Sequence, residues 1–245
     1  MNQYIRYEIE DRVATITIDR PEKKNAMTFA MLDAFHEAVE RAGSDENAWV
    51  VVLTGSGGAF CAGTDLADLK ATPEDQRSRG SQEDRIWPLM SCLKPVICAI
   101  DGPAVGMGAE FTSQCDVRIA STRARFAWNF VHRGLVPDTG AGTWLLPRLI
   151  GMQPALRLLY SGDFLTANEA LAIGYVSQVV EPERLTAAVR AEAERFLQGS
   201  PFSVSRIKKL IYDGIDRSPK DHIEHHRQAL EECFHSQDHA GVLDG

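Results

Sequence analysis

Val96-Ile-Cys-Ala-Ile100 runs directly into Asp101-Gly-Pro-Ala-Val-Gly-Met-Gly-Ala-Glu110, a continuous apolar stretch closed by a glycine-rich turn. A short apolar run of this kind, bounded by turn residues, reads as a strand buried on both faces. Ala48-Trp-Val-Val-Val-Leu53 repeats the arrangement and leads into Gly55-Ser-Gly-Gly-Ala-Phe-Cys-Ala-Gly-Thr-Asp65. Asp116–Ala120 and Tyr175–Val180 are weaker strand signals. Upstream, the alternating runs Ile5–Ile9 and Val13–Ile18 predict a hairpin. Thr28 caps a helix whose Met31, Leu32, Phe35, Ala38, Val39 and Ala42 recur at spacings of three and four. Helices between most of the strands predict an α/β layer fold with crossover connections.

Thr166-Ala-Asn-Glu169 has the form of a capping box, and Gly174 stands where a helix end favours a left-handed residue. Past residue 181 the strand signals stop, and Glu183–Leu197, Ser203–Asp213 and Asp221–Phe234 read as consecutive helices. The chain thus divides into a core, 1–180, and a C-terminal helical region, 181–245, within one functional unit.

With 44% hydrophobic residues in 245, the chain can bury a substantial core. A net charge of −8 disfavours broad nucleic-acid binding. The first twelve residues alternate polar and apolar, unlike a secretory signal, and no stretch approaches the roughly 20 apolar residues of a bilayer span. Five cysteines, odd in number, without a C-x-x-C pair and mostly inside apolar runs, fit reduced thiols and a cytoplasmic setting.

The two glycine-rich loops follow the two strongest strands, where ligands bind in α/β folds. Glycine lets backbone amides approach a ligand, and a loop that feeds a helix adds unpaired N–H groups, so two such loops can hold one developing oxyanion. Nucleotide-binding readings fail: Gly106-Met-Gly108 is followed at the required third position by Phe111, and neither loop ends in Gly-Lys-Ser/Thr. Glu110 is either an acid/base beside that loop or a first-turn acid complementing the helix dipole. Asp138, after Pro137, is either an acid/base or a turn residue. Trp128 and Phe130 would line an apolar pocket that raises its pKa.

Arg20-Pro-Glu-Lys-Lys-Asn-Ala-Met27, Phe60-Cys-Ala-Gly-Thr-Asp-Leu66, Lys94-Pro-Val-Ile97, Cys115-Asp116, Gly134-Leu-Val-Pro137 and Ser161-Gly-Asp-Phe-Leu-Thr-Ala-Asn-Glu-Ala170 together resemble the crotonase (enoyl-CoA hydratase/isomerase) family, in its motif order over nearly the whole chain. The resemblance implies a spiral of ββα units with a C-terminal helical trimerisation region, assembled as a homotrimer or homohexamer. It implies an acyl-CoA thioester substrate, no separate cofactor, and an enolate held by the amides of Thr64 and Met107, where the family's usual glycine is replaced by methionine. Lys24 would approach a CoA phosphate. Ala26 and the loop Ala62, Gly63, Thr64, Asp65, Leu66 would contact the pantetheine arm and adenine. Glu110 matches a catalytic glutamate, and Asp138 resembles the catalytic aspartate of isomerase members. The second glutamate of the hydratases falls on Phe130, which can neither bind water nor carry its proton. Double-bond isomerisation is therefore the leading expectation, ahead of hydration, CoA-ester hydrolysis and acyl-CoA or RNA binding without turnover. By the same resemblance, relatives continue past Gly245 with a segment that covers the site.

Three other features are set aside. His222, His226, His235 and His239 form two i,i+4 pairs without the H-E-x-x-H order, so no metal site is expected. Cys61 has no identifiable histidine partner. Arg206, Lys208 and Lys209 read as surface charges.

Overall fold

The computed structural model describes residues 2–74 and 87–243. The strands are β1 (Ile5–Glu10), β2 (Val13–Ile18), β3 (Val50–Gly55), β4 (Val96–Ile100), β5 (Pro103–Val105), β6 (Val117–Ser121), β7 (Arg125–Ala127), β8 (Leu165–Thr166) and β9 (Gln178–Val180). The helices up to β9 are α1 (Phe29–Ser44), α2 (Leu66–Ala71), α3 (Pro88–Ser91), α4 (Met107–Gln114), α5 (Ala141–Trp144), α6 (Leu146–Ile150), α7 (Met152–Ser161) and α8 (Ala167–Ala172). After it come α9 (Leu185–Leu197), α10 (Pro201–Gly214), α11 (Pro219–Phe234) and α12 (Gln237–Leu243).

A six-stranded sheet runs β1-β2-β3-β4-β6-β9, antiparallel only at the β1/β2 hairpin, and a three-stranded sheet runs β5-β7-β8. The chain visits the large sheet, then the small sheet, then a helix, as in β4-β5-α4, and so winds the expected spiral. Alternation along the central strands explains their continuous apolarity. Val51, Leu53, Val96, Cys98 and Ile100 join the core with Phe35 and Met31 of α1, while Val50, Val52, Ile97 and Ala99 face Leu185, Val189 and Ala193 of α9. The first helix after residue 181 thus closes the second face of the sheet.

Local signals behave as read at several points. Thr28 Oγ1 accepts from the Met31 N–H, Thr166 and Glu169 form the reciprocal capping box, and Gly174 has φ +74°. Tyr175–Val180 is corrected: the strand begins at Gln178, and Tyr175 is instead buried under α4, with its hydroxyl 2.6 Å from Thr112 Oγ1 and 3.0 Å from Ser113 Oγ. Lys208 is also corrected, because it is 7% exposed and lies 2.7 Å from Asp116 Oδ2. Arg206 is half-buried against Glu232, and Lys209 is exposed and paired with Asp213. Among the described residues no helix is long and apolar enough to cross a membrane. Gly245 lies outside the described residues.

Candidate active site

The two glycine-rich loops are zipped together. Cys61 and Ala104 form a parallel bridge, with the Cys61 N–H donating to the Pro103 carbonyl at 3.1 Å and the Val105 N–H to the Cys61 carbonyl at 2.9 Å. Gly108 permits this approach, since a Cβ there would stand 2.3 Å from the Cys61 carbonyl oxygen. Gly63, at φ +92°, brings the first loop against the second: a Cβ on it would lie 2.8 Å from the Val105 oxygen and 3.6 Å from the Met107 nitrogen.

That arrangement leaves two amides free. Met27 bridges Thr64 in parallel fashion, its N–H donating to the Gly63 carbonyl and its carbonyl accepting from the Asp65 N–H. In such a bridge the N–H of the central residue, Thr64, points away from Met27. Met107 is the first residue of α4 after Gly106, so its N–H has no partner within the helix. Among the described residues neither amide has a hydrogen-bond acceptor. The Met107 side chain is 6% exposed and joins the core. The N-terminal end of α4 adds a favourable dipole for negative charge.

Two carboxyls lie near each other, one of them in the first turn of α4. Glu110 lies in the first turn of α4 with none of its surface exposed. Its Oε2 accepts from the Thr139 N–H at 3.2 Å and from Thr139 Oγ1 at 2.5 Å, while Oε1 is buried without a partner among the described residues. Burial, opposed by the Thr139 hydroxyl and reinforced by the nearby Asp138 charge, pushes the Glu110 pKa from 4.5 up to about 8. Asp138 is half-buried, but its Oδ1 is shut off from solvent and unpartnered among the described residues. Burial lifts its pKa from 3.8 to about 6, with the backbone N–H groups of Asp138 and Thr139 pulling it back. Gly142 fits this cluster because a Cβ there would sit 2.4 Å from Glu110 Oε1.

The other expected positions fall as follows. Phe130 is 7% exposed, and its Cζ lies 3.7 Å from where a Cβ on Gly106 would stand, so an apolar ring flanks the loop before α4. Trp128 does not line the pocket: it is fully buried, edge-on to Tyr175 at 5.2 Å. The desolvation of Asp138 thus comes without an exposed Trp128 wall. Lys24 is exposed at φ +49°, and its carbonyl accepts from the Ala62 N–H at 3.0 Å, which places it beside the first loop. Ala26 is half-buried, its carbonyl held by Arg20, and Leu66 is 47% exposed. Asp65 spends its carboxylate on Arg20 at 2.7 Å and on the first N–H groups of α2. The thiol of Cys61 is fully buried, and burial pushes its pKa up to about 12.

Two residues of the site were not singled out from the sequence. Thr139 follows Asp138 and holds Glu110. Asn25, within the quoted Arg20–Met27 motif, donates its buried amide to the Ser56 and Ala59 carbonyls at 2.9 and 2.7 Å, fixing the first loop. An open cavity of about 510 Å³ between α10 and α11 lies elsewhere, and its Arg206, Lys209 and Arg217 are already paired with Glu232 and Asp213.

The cost of this arrangement is measurable. A folded-state pKa of about 8 against 4.5 means the native protein holds the Glu110 proton more tightly than the unfolded chain does. That contribution is fully present below pH 4.5 and drains away as the pH rises to about 8. Glu110→Gln cannot ionise, so its stability relative to wild type should grow across this window by about 4 kcal/mol, read by urea unfolding at the two ends. A constant difference between the ends contradicts the shifted pKa.

The family model described as enoyl-CoA hydratase/isomerase matches residues 8–244. A short-chain-enoyl-CoA hydratase of Clostridium acetobutylicum is 34% identical over 239 residues, covering 96% of this chain and 91% of its own. A 1,2-epoxyphenylacetyl-CoA isomerase of Escherichia coli is 36% identical over 217 residues, covering 86% and 82% respectively. The crystal structure of an enoyl-CoA hydratase from Bacillus anthracis superposes with a TM-score of 0.93 at 31% identity, covering 99% of this chain and 95% of that one.

Proposed function

The chain belongs to the enoyl-CoA hydratase/isomerase family and is an enzyme of it, and on that premise we propose that it moves a carbon–carbon double bond within an acyl-CoA thioester, without a bound cofactor. The names of its relatives divide between hydration and isomerisation. The observation that carries the reading is the pairing of Asp138 and Glu110, two carboxyls in different states that lie near each other.

The thioester carbonyl accepts from the Thr64 and Met107 amides, which stabilises the dienolate formed when an α-proton leaves. Asp138, with a pKa of about 6, is ionised at neutral pH and takes that proton. Glu110, at about 8, is protonated and donates to the γ-carbon. Each turnover leaves Asp138 protonated and Glu110 ionised, and a proton passed between the neighbouring groups restores the start. Phe130 favours this route over water addition, because it supplies no second group to hold and deprotonate a water at the loop before α4.

Purified protein given 3-hexenoyl-CoA should yield 2-hexenoyl-CoA and, given crotonyl-CoA, no 3-hydroxybutyryl-CoA at comparable rate. Rapid hydration of the second substrate overturns the reading. The kcat/KM of isomerisation should be bell-shaped, rising as Asp138 ionises near pH 6 and falling as Glu110 ionises near pH 8. Because the groups interact, the two limbs belong to the pair. A profile flat across this range argues against these two residues.

Assembly fits the same reading. Ile207, Ile211 and Ile215 on and just past α10, with Ile223, Leu230 and Phe234 on α11, are exposed. Apolar surface of that extent supports the reading of a homotrimer or homohexamer built through this region.

A further inference from the structure

The mechanism above uses Thr139 to hold Glu110 but leaves open what holds Thr139. The residue lies in a turn, with Gly140 at φ +77° after it and no strand pairing for its carbonyl. That carbonyl accepts from the indole N–H of Trp87 at 3.1 Å, across 52 residues of sequence. The Trp87 ring also stacks on Trp144, with centroids 4.9 Å apart and planes at 27°. Trp144 closes α5, its N–H donating to the Gly140 carbonyl at 3.0 Å, and the Arg148 guanidinium packs on its ring at 4.1 Å. One side chain therefore grips both ends of the turn from Thr139 to Trp144.

Trp87 is itself well anchored. It precedes α3, where Pro88 occupies the first turn, the Ser91 N–H donates to the Trp87 carbonyl at 2.9 Å, and Leu89 is fully buried. An indole N–H that is partly buried is normally satisfied by some acceptor, so a hydrogen bond alone says little. What singles this one out is its target: Thr139 is the residue whose N–H and hydroxyl both reach the same Glu110 oxygen.

We infer that Trp87 is a positioning residue for the Glu110 carboxyl, acting through Thr139: its N–H fixes the Thr139 carbonyl and its ring clamps Trp144. The indole touches neither carboxyl, so its effect is on the aim of the Glu110 proton donor. The inference deepens the isomerase reading and rests on it for the rate effect, but the held carboxyl is a property of the protein alone.

Trp87→Phe keeps an aromatic face for Trp144 and removes only the N–H. It should lower kcat for 3-hexenoyl-CoA about tenfold, the scale of one net hydrogen bond, with KM changed less than twofold. The Thr139 donors favour the ionised Glu110, so loosening them moves the alkaline limb of the pH profile upward. Thr139→Val, which deletes the hydroxyl donor, should move it further in the same direction. Infrared titration of the Glu110 acid, assigned by its loss in Glu110→Gln, reads the same shift without any turnover. If wild type fails to isomerise but the titration still moves in Trp87→Phe, the isomerase reading falls and the positioning role stands. If Trp87→Phe matches wild type in both titration and kcat, the role is wrong. A fall in kcat with an unmoved titration also overturns it, since that pattern marks loss of packing alone.

Discussion

Asp138→Asn should lower isomerisation of a 3-enoyl-CoA by about 10²–10⁴-fold, the range expected for loss of a positioned general base. Asparagine has the same shape and fits the same half-buried turn, so the fold should be unaffected and KM should change little. The loss should be kinetic because the Oδ1 oxygen is withheld from solvent and from any protein donor among the described residues, the state of a base waiting for a substrate proton. Asp138 does not cap the following helix, since α5 begins after Gly140 with no side-chain cap. Steady-state rates with circular dichroism as a folding control decide the matter. A variant within threefold of wild type would remove Asp138 from the mechanism.

Lys208→Met should destabilise the fold by about 3–5 kcal/mol, the cost of leaving one member of a buried ion pair alone. The ammonium group has three donors, and all three are used: on the Leu89 carbonyl at 3.2 Å, the Lys94 carbonyl at 3.0 Å and Asp116 Oδ2 at 2.7 Å. Asp116 also accepts from the Val96 N–H at 2.7 Å and the Tyr212 hydroxyl at 2.8 Å. Two residues of α10 therefore fasten it to the starts of β4 and β6. Methionine leaves Asp116 charged without its counterion and strips two carbonyls of their donor. Lys209→Ala next to it, exposed and paired with Asp213 alone among the described residues, should change stability by under about 0.5 kcal/mol. Urea unfolding of the two variants side by side separates the outcomes, and similar small changes in both would mean the buried pair does not hold α10.

Lys208 also shows where sequence reading stops. On α10 the outward positions Ile207 and Ile211 are 56% and 62% exposed, while the lysine between them is buried. Periodicity assigns the apolar residues inward and the charge outward, and nothing near Lys208 reveals that its partner is Asp116, 92 residues away. Tyr175 is a similar case, an apparent strand residue drawn under α4 by the hydroxyls of Thr112 and Ser113. What was legible rests on local rules. The strand Val96–Ile100, the Thr28 and Thr166 caps and the glycine turns are each decided by residues within a few positions of one another. The two glycine-rich loops and the start of α4 belong to that class, whereas the choice of the Thr64 and Met107 amides within them comes from the family resemblance and not from local rules. Thr139, Trp87 and Gly142 do not belong to that class, since their roles exist only once Glu110 and the Asp138 turn have been brought face to face.

The division of labour between the two carboxyls is the central claim, and proton exchange tests it most directly. Wild type, Asp138→Asn and Glu110→Gln would each be incubated with 3-hexenoyl-CoA in heavy water, and deuterium at the α- and γ-carbons located by mass spectrometry. The account predicts that Asp138→Asn abolishes exchange at the α-carbon, whereas Glu110→Gln retains α-exchange in recovered substrate and fails to deliver deuterium to the γ-carbon. Undiminished α-exchange in Asp138→Asn, or its loss in Glu110→Gln alone, would contradict the assignment and make Glu110 the base.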